Sequence, residues 1–113
     1  MYNIMDLLNK TVELQASDLH ITVGYYPSIR INGRLEKLGE EILKPDDTLD
    51  LVKQIVTDEQ YEDLEQNGDI DLSLSLKNIG RFRINIFKQR GTFCMAIRSV
   101  ALTIPSLEDL KLP

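Results

Sequence analysis

Four of the six arginines in the chain fall in one stretch, GRFRINIFKQRGTFCMAIRS, Gly80 to Ser99, which has no carboxylate although the whole sequence carries a formal net charge of −5. A guanidinium is planar, charged at any working pH and forked, so paired arginines suit phosphate. Alternation along a strand sets Arg81, Arg83 and Asn85 on one side and Phe82, Ile84 and Ile86 on the other; in the next run Cys94, Ala96 and Arg98 share a side. If the two runs form a hairpin about Arg90-Gly91, partners are residues whose numbers sum to 181, as 90 and 91 do, and Arg83 lies opposite Arg98. Two like charges about 5 Å apart across a ladder cost stability, and an anion between them offsets that cost. The alternative is a solvated pair whose stems cover apolar surface and which a one-residue slip would separate.

The remaining chemistry-bearing residues are sparse. The six glycines (24, 33, 39, 68, 80 and 91) are scattered, and no GxxxxGK[ST] loop occurs, so the main part of any nucleotide site belongs to another polypeptide segment. His20 alternates onto the polar side of a strand without a second histidine and reads as a structural or surface residue. Asp46 with Asp47 reads as helix-end charge, and Asp69 with Asp71 as a solvated strand face. Cys94 is the only cysteine, and its apolar neighbours suit a small buried side chain rather than a disulfide or metal ligand. Arg30 and Arg34 belong to an earlier hairpin and are expected to matter little to a site at Arg83 and Arg98.

The charge is divided along the chain. Residues 1–71 hold 16 acids and 6 bases, and residues 72–113 hold 2 acids and 7 bases. The overall acidity argues against nucleic acid as a partner. No apolar run nears the roughly 20 residues of a membrane span, and MYNIMDLLNK lacks the basic start of a signal peptide, so a cytoplasmic protein without a transmembrane segment is expected.

Apolar spacing predicts a helix over 3–15, and alternation predicts a strand from Asp18 to Val23. Two short strands flank Asn32-Gly33, a dipeptide suited to a type I′ turn. Leu49, Val52, Ile55 and Val56 mark a second helix after Pro45; Thr57 and Gln60 fit a capping box opening a third, which stops at Gly68. DIDLSLSL, RFRINIF and TFCMAIRS then read as an antiparallel meander, and Ser106 to Asp109 opens a short helix. Together these give an α+β domain of about six antiparallel strands with helices on one face.

ASDLHITVG (16–24), PSIRINGRLEKL (27–38), GRFRINIFKQRGTFCMAIR (80–98) and IPSLEDLKLP (104–113) resemble, in order and spacing, the N-terminal domain of the type IV pilus retraction, or twitching motility, ATPases, the PilT family within the secretion-ATPase superfamily. The resemblance implies a PAS-like domain over 1–113, ending at a linker to a RecA-like motor domain that carries the Walker motifs. It further implies ATP and Mg in the full-length protein, a homohexamer in which the domain meets the motor domains of its own and neighbouring subunits, and an inner-membrane platform protein as partner. In the family, arginines of these two strands reach the phosphates. By position these are Arg83 and Arg98, with Arg81 and Arg90 as lesser candidates. The Walker lysine and catalytic glutamate have no counterpart, so no catalytic residue, metal ligand or cofactor is expected in this segment, which should be inactive alone. The competing classes are a PAS-type sensor of a small ligand and a purely structural oligomerisation module.

Overall fold

A computed structural model describes residues 2–100; the helix expected at Ser106 to Asp109 and the end of the domain lie outside the described residues. The elements run α1 (Ile4–Glu13), β1 (Asp18–Ile21), β2 (Ser28–Ile31), β3 (Arg34–Lys37), α2 (Pro45–Lys53), α3 (Asp58–Asn67), β4 (Asp69–Leu76), β5 (Gly80–Gln89) and β6 (Thr92–Val100). All six strands join one antiparallel sheet in the order β3-β2-β1-β6-β5-β4.

Local chemistry accounts for most boundaries. Asn3 caps α1 by accepting from the amides of Met5 and Asp6. That helix is shorter than the 3–15 expected from apolar spacing. Leu14 closes it and Gln15 turns into the left-handed region at φ 58, while the Ala16 amide reaches back to the Thr11 carbonyl at 2.9 Å. The turn does what glycine usually does at a helix end, with a residue that gives no such signal. The first strand also stops early, at Ile21 rather than Val23, because the chain turns through Gly24 at φ 90. Thr57 and Gln60 form the reciprocal capping box at α3, and Gly68 ends that helix at φ 86.

The helices cover one face of the sheet. Leu19 and Ile21 of β1, Ile29 of β2, Phe82, Ile84 and Ile86 of β5, and Phe93, Met95 and Ile97 of β6 are buried against Leu7 and Leu8 of α1, Leu51 and Val52 of α2, and Leu64 of α3. This apolar layer provides the main driving force for folding. At the β4 edge the apolar residues Ile70, Leu72, Leu74 and Leu76 are only half-buried. The opposite face carries the polar residues of the same strands and remains open. Among the described residues, no helix is long and apolar enough to cross a membrane.

Candidate functional site

The β5–β6 hairpin is closed by two residues, Arg90 at φ 56 and Gly91 at φ 81. Two successive positive φ values make the turn whose twist matches that of paired strands, and such a turn leaves no slack in register. Arg83 consequently stands opposite Arg98, Asn85 opposite Ala96, and Arg81 opposite Val100. Because Ile84 and Ile97 anchor the same ladder from the helix side at 1% exposure each, a slip would drive arginine into the core.

The next strand over supplies what strand alternation alone leaves unseen. β1 docks antiparallel on β6 with Asp18 opposite Arg98, and on β2 with Asp18 opposite Arg30. A row of four charges, Arg30, Asp18, Arg98 and Arg83, therefore crosses four neighbouring strands of the open face and ends at Ser73 of β4. One Asp18 oxygen lies 3.8 Å from Arg30 Nε and the other 3.8 Å from Arg98 Nε. The Ser17 hydroxyl donates to Asp18 Oδ2 at 2.7 Å. The carboxylate side chain is 21% exposed, whereas Arg98 is 78% exposed, so the aspartate is set into the sheet and the guanidinium stands above it. Arg30, read from sequence as remote, belongs to this row; Arg34 instead pairs with Glu36 at the β3 edge. Among the described residues Arg83 has no carboxylate partner.

Around the arginine pair the open face is concave, with a volume of about 470 Å³ between Asp18, His20, Asp71, Arg83, Asn85 and Arg98. Asp71 accepts from the Asn85 amide at 2.9 Å, so its carboxylate is engaged within the face. His20 is half-buried beside Ala96 in the adjacent row. Arg81 is two residues from Arg83 on the same side, roughly 7 Å away along the strand. Arg90 occupies the turn, seven residues and about 23 Å along the strand from Arg83, which separates it from this concavity. The sheet thus gathers three of the four sequence candidates at one end and leaves the fourth at the other.

Chemically, the row presents three guanidiniums to one carboxylate, and two of them, Arg83 and Arg98, line the concavity together with the carboxylates of Asp18 and Asp71. Such a surface holds an anion by charge-assisted hydrogen bonds from planar forks.

The fold and the likeness to known proteins define a class: the chain is a PAS-like N-terminal domain of the secretion-ATPase superfamily. Its relatives are the pilus motors PilU and PilT. The chain is 38% identical over 107 residues to the type IV pilus ATPase PilU of Pseudomonas aeruginosa, covering 95% of this chain and 28% of that protein. It is 29% identical over 108 residues to the pilus retraction ATPase PilT of the same organism, covering 96% and 31%. The crystal structure of the pilus retraction motor PilT with bound ADP superposes with a TM-score of 0.83 at 37% identity, over 100% of this chain and 33% of that one. The ATPase DotB of Legionella pneumophila gives a TM-score of 0.74 at 28% identity over 97% and 32%. The chain spans about a third of the length of these relatives. No family model matches it.

Proposed function

We propose that this chain is the N-terminal module of a hexameric ATPase that powers type IV pilus retraction and twitching motility. The domain would end after residue 113 at a linker to a RecA-like motor domain, and nucleotide would sit between the two. Arg83 and Arg98 contribute guanidinium forks to its phosphates, with Arg81 as an outer contact; Arg90, at the far end of the hairpin, serves a different surface. ATP supplies the phosphoryl chemistry, and Mg travels with it on groups of the motor domain. The same open face packs against motor domains of its own and neighbouring subunits, and the assembled ring works at the cytoplasmic side of the inner membrane against a platform protein.

The single observation that carries the nucleotide role is the like-charge pair. Arg83 faces Arg98 directly, with no carboxylate on Arg83 among the described residues, on a concave surface. A structural module would more economically place a neutral residue at one of the two positions, since like charges opposite each other destabilise a sheet.

The test is turnover by the full-length motor. Arg83→Ala and Arg98→Ala hexamers should lose ATPase activity, and arginines that meet a transferred phosphoryl group contribute roughly 10³–10⁵-fold in other phosphoryl-transfer enzymes. Lysine should rescue only in part, because a point charge lacks the planar fork. Arg34→Ala, remote at the β3 edge, is the control. If both alanine hexamers, verified by light scattering, turn over ATP at the parent rate, the phosphate role is lost and the structural reading replaces it.

A further inference from the structure

We infer that Asp18 is a positioning residue of the nucleotide site: it holds Arg98 by Nε, so that the terminal edge of the guanidinium faces the phosphates beside Arg83. The inference rests on the proposed nucleotide role of the arginine pair, and it assigns a duty to a carboxylate that would otherwise oppose an anion.

The geometry that points to it is the row across the sheet. A guanidinium offers donors at Nε and at two terminal nitrogens. Asp18 meets both of its arginine neighbours at Nε, one oxygen each at 3.8 Å, which leaves the terminal nitrogens of Arg98 out of the pair. Asp18 is itself fixed. Its Oδ2 accepts from Ser17 Oγ at 2.7 Å, and the backbone of Ser17, just before it, is tied to both neighbouring strands, the Ser17 amide donating to the Arg30 carbonyl and the Ser99 amide to the Ser17 carbonyl, each at 2.9 Å. The aspartate is thus anchored between β2 and β6, and Arg98, whose one carboxylate partner among the described residues is Asp18, stands 78% exposed. An exposed arginine without such a tether samples many rotamers, and ordering it at the moment of binding costs side-chain entropy. A tether that orders the side chain beforehand removes part of that cost.

The charge of Asp18 has a second consequence. Without nucleotide it offsets the repulsion among Arg30, Arg98 and Arg83; with nucleotide it weakens the pull on the phosphates, most on the nearest, in opposition to the gain in binding from a pre-ordered Arg98. Removing the charge while keeping the shape should therefore leave ATP binding as tight as before or tighter, and slow the chemical step through loss of aim.

The experiment uses the full-length hexamer and measures kcat and KM for ATP in Asp18→Asn, Arg98→Ala, Arg83→Ala and the double variant Asp18→Asn/Arg98→Ala. Asp18→Asn should lower kcat about 10-fold, the scale of a misaimed group, with KM unchanged or lower. In the Arg98→Ala background, whose residual turnover is followed in single-turnover assays at high enzyme concentration, the same change should no longer slow the chemical step, since the aim that Asp18 supplies is that of Arg98. Ser17→Ala, which removes the hydroxyl that fixes Asp18, should lower kcat about 2-fold with KM unchanged, again only while Arg98 is present; it decides the matter if Asp18→Asn fails to assemble. A parent kcat in Asp18→Asn, or an undiminished effect in the double variant, overturns the positioning role while dead Arg83→Ala and Arg98→Ala enzymes leave the phosphate role standing. Parent turnover in those two arginine variants overturns the underlying reading itself.

Discussion

Arg83 on β5 and Arg98 on β6 are direct cross-strand partners, and of these two it is Arg98 that the carboxylate of Asp18 meets, at 3.8 Å. Two cations are thereby held side by side on a surface where only one has a counter-charge. This unbalanced arrangement is the observation on which the proposed nucleotide role rests.

The first prediction concerns stability without nucleotide. In this domain Arg83→Ala should leave the melting temperature unchanged or slightly raised, because the change removes a repulsion and no ion pair. Arg98→Ala removes the same repulsion together with an exposed pair worth about 0–1 kcal/mol, and should fall within about 1 kcal/mol of the parent. Thermal melting of both variants decides it; a loss of more than about 2 kcal/mol at Arg83 would mark it as a structural residue.

The second follows from the place of β4 at the sheet edge. Ile84 is 1% exposed in the middle of the sheet, whereas Leu74, on the edge strand β4, is half-buried. Ile84→Ala should cost about 2–5 kcal/mol and Leu74→Ala about 1–2, with Ser75→Ala nearly neutral. Denaturant unfolding that ranks Leu74 at or above Ile84 would show that the edge is covered.

A third prediction is pH-dependent. Lys88 Nζ donates to Glu65 Oε1 at 3.2 Å, joining α3 to β5. That bond, with a second from Tyr61, holds the Glu65 carboxyl below its ordinary value of 4.5. A depressed carboxylate stabilises the fold above the unfolded value and loses that contribution as pH falls through the lower folded one. The effect is small, because both side chains are about a third or more exposed. Lys88→Met keeps the aliphatic stem and removes the charged Nζ, which stands 5.7 Å from the centre of the Phe93 ring. The melting-temperature gap between parent and Lys88→Met should be present at neutral pH and close below the ordinary carboxylate range; a constant gap from pH 7 to pH 3 would refute the assignment.

The fourth concerns this domain by itself. Its sequence has no glycine-rich phosphate loop, so the arginine face alone should hydrolyse no ATP and bind it no tighter than about millimolar. Micromolar binding in calorimetry would place the main nucleotide site within these residues.

Much of this was determined by the sequence alone, wherever the deciding interactions are short in range. Arg90-Gly91 forms a two-residue turn, and a two-residue turn sets every pair of its hairpin, so Arg83 opposite Arg98 was readable from numbering and alternation. The capping box at Thr57 and the stop at Gly68 are likewise bonds between residues three or four apart. The family likeness was carried by the same local blocks. What only the tertiary structure decided is which hairpins lie side by side. The insertion of β1 between β2 and β6 brings Asp18 against an arginine 80 positions later, through main-chain pairing for which any extended segment is eligible. Alternation gives a strand its two faces but not its neighbours, so it could show that Asp18 is polar and Arg30 exposed without showing that both adjoin Arg98. The same holds for β4: its leucines alternate as cleanly as core residues do, and only the strand order, which puts them at the edge, leaves them half covered.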